Sequence, residues 1–135
     1  MSEAETRGNG VAQRVLQSWK ADRSLPGSLY HDSAVYEEEI RRIFFKSWLY
    51  VGHESQIPQR GEYFLFDIAG ESVIVVRDGE GQINALLNVC RHRGSRICDD
   101  ATGRASRLVC RYHGWTYGLD GSLIGATYGD GYEDG

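Results

Sequence analysis

Proline is nearly missing from this chain, with two in 135 residues. Seventeen glycines stand against those two prolines, so tight turns must rest on glycine, as a domain of many short strands requires. Long hydrophobic runs are also lacking. No apolar stretch approaches the ~20 residues of a membrane span, and the polar amino terminus has no secretory apolar core. These absences predict a cytoplasmic protein with no membrane partner. Positive charge is in deficit too: 15 Lys and Arg against 19 Asp and Glu leave a net charge of −4. Nucleic acid is therefore not an expected partner. The length suits one domain, long enough to bury roughly two-thirds of its unfolded surface.

Cysteine and histidine are scarce, at three and four, yet most of them fall in two short segments. The first reads Cys90-Arg91-His92-Arg93-Gly94, the second Cys110-Arg111-Tyr112-His113-Gly114-Trp115. Each supplies one thiol and one imidazole. Two thiolates on one iron and two imidazoles on the other form the ligand set of a Rieske [2Fe–2S] centre. Thiolates suit iron–sulfur chemistry, while neutral imidazole donates less charge and lets its iron accept an electron more easily. The alternative is structural zinc, whose sites usually place a cysteine pair before a histidine pair. Here the order is Cys, His, Cys, His. One residue between Cys90 and His92 is tight for chelating a single tetrahedral ion, but natural if the two side chains reach different irons. Cys98 is then left without a disulfide partner, as expected in a reducing cytosol, and reads as a small apolar residue near the cluster loops.

Along the chain, residues 1–10 read as disordered. Val11, Val15, Leu16 and Trp19 predict a short amphipathic helix over Val11–Lys20. Leu25-Pro26-Gly27-Ser28 interrupts it. Asp32 or Ser33 would cap a second helix, with Val35, Tyr36, Ile40, Ile43 and Phe44 as its apolar stripe. Glu37, Glu38 and Glu39 read as its solvated face. From Trp48 onward the period changes. Trp48–Val51, Glu62–Ile68, Ser72–Arg77, Ile83–Asn88, Ser106–Cys110, Trp115–Leu119 and Ser122–Ile124 read as strands. Asp78-Gly79-Glu80-Gly81 and Asp120-Gly121 read as hairpin connections. Both ligand segments thus leave strand ends, which hold loop-borne ligands rigidly.

A longer pattern surrounds the motif. Residues 42–58, Arg42-Ile43-Phe44-Phe45-Lys46-Ser47-Trp48 through Gly52-His53-Glu54 to Pro58, and then Gly61-Glu62-Tyr63, resemble the opening of Rieske non-haem iron oxygenase α subunits. Asn88-Val89-Cys90-Arg91-His92-Arg93-Gly94 and Cys110 to Tyr117, followed by Leu119-Asp120-Gly121, resemble that family's cluster loops. The resemblance spans roughly residues 25–125 and includes the helical arm, which stand-alone Rieske ferredoxins usually lack. Respiratory Rieske proteins carry an extra cysteine in each loop, and this chain has one spare.

The resemblance implies a mainly β, antiparallel Rieske-type fold with a short helical N-terminal arm over residues 1–45 and the [2Fe–2S] domain over residues 46–135. It implies Cys90, His92, Cys110 and His113 as cluster ligands, with Gly94, Gly114 and Trp115 around them. Such enzymes are typically trimers, with or without β subunits, that hydroxylate arenes or oxidatively demethylate amines using O2. Electrons come from an NAD(P)H-dependent reductase, sometimes through a ferredoxin. They pass from the cluster to a mononuclear Fe(II), usually in the neighbouring α subunit, and His113 is the implied exit. A mononuclear site needs two histidines and a carboxylate. Only His31 and His53 remain, both ahead of the cluster, and both read as surface or packing residues. The chain therefore reads as the electron-transfer part of an aromatic-ring-hydroxylating or N-demethylating oxygenase, without its catalytic domain. A stand-alone ferredoxin is the rival reading, and a zinc module a distant third. The run Arg91 to Cys98 resembles the betaine-demethylating branch, whereas Gly114-Trp115 is widespread among ring hydroxylases, so the substrate stays open.

Three features of the surroundings carry expectations. Arg91, Arg93, Arg96, Arg104, Arg107 and Arg111 stand against only Asp99 and Asp100 in the segment, which makes either a docking patch, for an acidic ferredoxin or reductase or for the neighbouring subunit's catalytic domain, or a solvated surface of local ion pairs. Gly94 and Gly114 permit positive φ, either to aim amide N–H groups at cluster sulfurs or simply to turn the chain. Trp115 would shield the cluster from water.

Overall fold

The computed structural model describes residues 10–17 and 19–127. The expected disorder of residues 1–9 lies outside them. The chain divides into two compact units, Met1–Tyr50 and Val51–Gly135.

In the first unit, α1 covers Val11–Leu16, shorter than expected. Trp19 is exposed, and its indole N–H donates to the Arg23 carbonyl at 2.9 Å. A 3₁₀ turn over Gly27–Tyr30 follows. Helix α2 spans Ser33–Arg42, and the Asp32 carboxylate caps it by accepting the Ala34 N–H at 2.8 Å. Its buried face is narrower than the sequence pattern suggested. Val35 and Ile40 are buried, but Tyr36, Ile43 and Phe44 are exposed. The helix ends at Arg42, so Ile43 and Phe44 leave the apolar stripe. Glu38 takes a buried place on this helix and pairs with Arg42 Nε at 2.8 Å. It fits because Gly10 lies against its carboxylate, where any Cβ would collide. The solvated acidic face is thus confirmed for Glu37 and overturned for Glu38. Trp48–Val51 is not a strand, since no neighbour pairs with it among the described residues, and Trp48 is fully exposed.

The second unit is antiparallel β. One sheet has the order β3-β2-β1-β4, from Ile83–Leu87, Glu71–Arg77, Glu62–Ile68 and Thr102–Arg104. The other has β5 Leu108–Val109, β6 Thr116–Tyr117 and β7 Leu123–Gly125 in that order. Central strand β2 buries Ile74, Val75 and Val76 in succession, as a strand covered on both faces must. Its hairpin to β3 is held by the Asp78 carboxylate, which accepts from the Glu80 and Gln82 amides at 2.9 Å and from Asn84 Nδ2 at 3.0 Å. Strand β4 was not legible, because Thr-Gly-Arg carries no strand signal. It forms because Gly103 lets the chain close onto the Tyr63 ring, where a Cβ would meet the ring atoms.

The core of this unit joins Tyr63, Ile74 and Val76 of the larger sheet to Leu108 and Tyr117 of the smaller. Cys90, Ile97, Cys110 and Leu119 complete it, so both motif cysteines are core residues as well.

Candidate metal centre

The two ligand segments are one backbone design used twice. Cys90 N–H donates to the Ser95 carbonyl at 2.8 Å, and Gly94 N–H donates back to the Cys90 carbonyl at 2.9 Å. Cys110 N–H donates to the Trp115 carbonyl at 2.8 Å, and Gly114 N–H to the Cys110 carbonyl at 2.9 Å. Gly94 has φ +70° and Gly114 φ +72°, the left-handed region that a Cβ disfavours. The glycine amides are therefore committed inside their own loops, which selects the turn role over the aiming of those amides at sulfur. The group seen at the Cys90 thiol is the Tyr117 hydroxyl, 3.3 Å from Sγ.

This common design fixes a register between the loops. Cys90 matches Cys110 and Gly94 matches Gly114, so His92 matches Tyr112 and His113 matches Arg93. The histidines sit one place apart on equal loops.

The four motif side chains converge. Both thiols are buried at 2% exposure. The His92 and His113 rings are 4.7 Å apart, edge to face. Trp115, half-buried and packed on the core, stacks flat on His92 at 5.0 Å and 5°. Tyr112, exposed, lies against His113 at 3.8 Å.

The surroundings shift the proton affinity of two of these groups, Cys90 and His92. Burial pushes the Cys90 thiol up, but bonds from the Tyr117 hydroxyl, the His92 and Arg93 amides and Cys110 outweigh it and bring its pKa below the ordinary value. His92 is lowered by burial first, then by the neighbouring His113 and Arg93 charges, which favours the neutral imidazole that binds metal. His113 Nδ1 is enclosed and has no hydrogen-bond partner. A buried nitrogen left in that state is costly unless a ligand takes its lone pair.

The donor arrangement also bears on which group fits. Two buried thiols and two imidazoles with ring centroids 4.7 Å apart suit a set shared between two irons, one holding the thiolates and the other the imidazoles.

Comparison with known proteins decides the matter. The family described as Rieske [2Fe-2S] domain matches residues 47–130. The chain belongs to that family. Its cofactor is therefore a [2Fe–2S] cluster, and the observed donors fit one. This Rieske domain is 45% identical over 123 residues to the glycine betaine monooxygenase oxygenase subunit of Chromohalobacter salexigens, covering 90% of the chain and 28% of that protein. It is 45% identical over 100 residues to the biphenyl 2,3-dioxygenase α subunit of Rhodococcus jostii, covering 74% of the chain and 22% of that protein. Its fold follows naphthalene 1,2-dioxygenase from a Rhodococcus species with TM-score 0.79 and 40% identity, over 90% of the chain and 28% of that structure. The chain thus spans about a quarter of the length of these oxygenase subunits.

The arginines of the Rieske domain are partly absorbed by structure. Arg96 donates to Asp67 at 3.1 Å and to Ser72 Oγ at 2.7 Å, Arg104 to the Arg60 carbonyl at 3.1 Å, and Arg111 pairs with Asp99 at 3.4 Å. Arg91, Arg93 and Arg107 are exposed and in no ion pair among the described residues. His53 caps a 3₁₀ turn, its Nδ1 accepting the Ser55 N–H at 3.2 Å, and His31 is exposed. Both are the packing and surface residues expected.

Two residues of the site went unread in the sequence. Tyr117 reaches Cys90 Sγ through its hydroxyl, and Asn88, buried at 4% exposure, ties down the end of the first loop. An asparagine closing a β-rich run was the available signal for the second, because asparagine is depleted in strands. Nothing local marked Tyr117.

Proposed function

We propose that this Rieske domain is the electron-entry part of an oxygenase α subunit, with Cys90 and Cys110 on one iron and His92 and His113 on the other. The observation that supports it is the enclosed, unpartnered Nδ1 of His113 beside the His92 ring, together with the buried thiols of Cys90 and Cys110. When bound, the cluster supplies reversible one-electron storage. The chain's own residues do the rest. Buried thiols and the stacked indole of Trp115 keep water from one side. The core-anchored loops limit movement of the ligands, which keeps reorganisation small.

Electrons would arrive from an NAD(P)H-dependent reductase, directly or through a ferredoxin, and leave by His113 beside exposed Tyr112. Their destination would be a mononuclear Fe(II) in the catalytic domain of a neighbouring α subunit, which uses O2 to hydroxylate an arene or demethylate a quaternary amine. Both reaction classes occur among relatives of equal identity, so the electron-handling role is what they share with this chain. A stand-alone ferredoxin is the weaker reading, since the helical first unit is included in similarity that covers 90% of the chain. No helix of the described residues is long and apolar enough to cross a membrane. With Cys90, Cys98 and Cys110 all outside disulfides, a cytoplasmic location is proposed.

Iron and acid-labile sulfide assays with EPR of the dithionite-reduced protein test the reading. Two irons and two sulfides per chain with a rhombic signal of low average g support it. A colourless protein carrying stoichiometric zinc sinks it.

A further inference from the structure

The two ligand loops share one backbone design but are closed differently. The second is closed by a strand ladder, since Leu108 pairs with Tyr117 and Val109 with Thr116 on either side of it. The first has no such ladder: β3 stops at Leu87, and residues 96–98 are irregular. One side chain stands in its place. Asn88 Oδ1 accepts the Ile97 N–H at 3.1 Å and the Cys98 N–H at 2.8 Å. Its Nδ2 donates to the Cys98 carbonyl at 2.7 Å and to Ser72 Oγ at 3.3 Å.

All the amide's principal donors and acceptors are thus used, in a residue only 4% exposed. Two of the four bonds, to the N–H and the C=O of Cys98, reproduce what a paired residue of a partner strand would offer, and a third takes up the Ile97 N–H as well. The fourth holds the amide against β2, where Ser72 also receives Arg96 and its carbonyl takes the Asn88 N–H at 2.8 Å. The segment Val89–Arg96 is therefore a closed loop whose two ends meet at one carboxamide. Cys90 and His92 lie within it.

We propose that Asn88 is a positioning residue for the cluster: its carboxamide replaces a strand ladder and fixes the loop that carries Cys90 and His92. This rests on the cluster assignment above. A side-chain clasp is a single point of failure, whereas the ladder behind Cys110 and His113 is distributed over backbone. Loss of the clasp should loosen one half of the ligand set and spare the other. A merely structural core residue would loosen both.

The test uses Asn88→Ala and Asn88→Asp in the full-length holoprotein. Asp has the same shape and keeps acceptors for the Ile97 and Cys98 amides, but cannot donate to the Cys98 carbonyl. Hydrogen exchange read by mass spectrometry should speed up about tenfold in peptides covering Ile97 and Cys98 in the Ala variant, and less in the Asp variant. Peptides covering Cys110–Thr116 should stay at the wild-type rate. The g-values of the reduced cluster and its midpoint potential should move in both variants. If Asn88→Ala does not fold, the Asp variant alone must show the same asymmetry between the loops.

Equal acceleration in both loops, or unchanged exchange at 97–98 with unchanged g-values, overturns the proposal. Absence of iron and labile sulfide from the wild-type protein overturns the cluster reading itself. That result is visible before any variant is compared.

Discussion

The hydroxyl of Tyr117 lies 3.3 Å from Cys90 Sγ and accepts the backbone N–H of Arg91 at 3.1 Å. A ligating Cys90 thiolate has no proton to give, so across this contact the hydroxyl is the donor and the sulfur the acceptor. A neutral donor on a thiolate stabilises the more electron-rich state of whatever metal the thiolate holds.

Tyr117→Phe should therefore lower the midpoint potential. A loss of one bond to a charged sulfur corresponds to about tenfold in the reduction equilibrium, or about 60 mV for one electron. Spectroelectrochemical titration of the holoprotein measures it. An unchanged or raised potential would show that the hydroxyl does not donate to a ligating sulfur.

Cys98 offers a control on the ligand set. Burial raises its pKa first of all, and Asp99 raises it further against the opposing bond from Tyr63. In the holoprotein it should be the only thiol open to alkylation, and a slow one near neutral pH, since the thiolate is the reactive form. Cys98→Ala should keep iron and sulfide, whereas Cys90→Ala and Cys110→Ala should lose both. Three reactive thiols are expected after the cluster is removed. A Cys98→Ala protein without iron would move the ligand assignment.

Asp78 ties the β2–β3 hairpin to pH. Burial acts to raise its pKa, but the bonds from Asn84 and from the Gln82, Glu80 and Gly81 amides prevail and lower it. A carboxyl with a depressed folded-state pKa adds stability above its unfolded pKa, near about 3.9. That stability is lost as pH falls through the folded value. Asp78→Asn should accordingly melt at lower temperature than wild type at pH 7, and the gap should close below pH about 4. Thermal melts across that range check it, and a gap that persists in acid would refute it.

Gly94 isolates the cost of left-handed backbone. Nothing lies within 4 Å of a Cβ built there, so Gly94→Ala meets no steric neighbour and pays only for φ +70°. The expected loss is about 1–2 kcal/mol. Gly94→Asn should recover part of it, because asparagine tolerates this region better. Gly114→Ala adds a 2.9 Å approach to Thr127 Oγ1 and should cost more. Denaturant unfolding of the three variants gives the comparison.

Much of the larger sheet was legible because its strands are long and rich in β-branched or aromatic residues. Glu62–Ile68 was placed to the residue, and Glu71–Arg77 to within one. The smaller sheet was overdrawn. Trp115–Leu119 shrinks to Thr116–Tyr117 because Trp115 is occupied in closing the second loop, and its carbonyl takes the Cys110 N–H. Trp48–Val51 looks like a strand by composition, yet pairing is a long-range property that composition does not carry. Glu38 was misread for a similar reason, since its burial depends on Gly10, which is far from it in sequence. At the site, the four motif residues stood out through side-chain chemistry at fixed spacing. Tyr117 and Asn88 did not, because their roles come from bonds across 27 and 10 residues of chain.

The offset between the loops has a last consequence. If both histidines occupied the same place in their equal loops, the centre would be nearly twofold symmetric and its two imidazoles interchangeable. A slip of a single residue breaks that symmetry. It lays an indole flat on His92 and sets a phenol beside His113. The two imidazoles thereby stand in different surroundings, one under a flat indole and one beside an exposed phenol, and are not interchangeable.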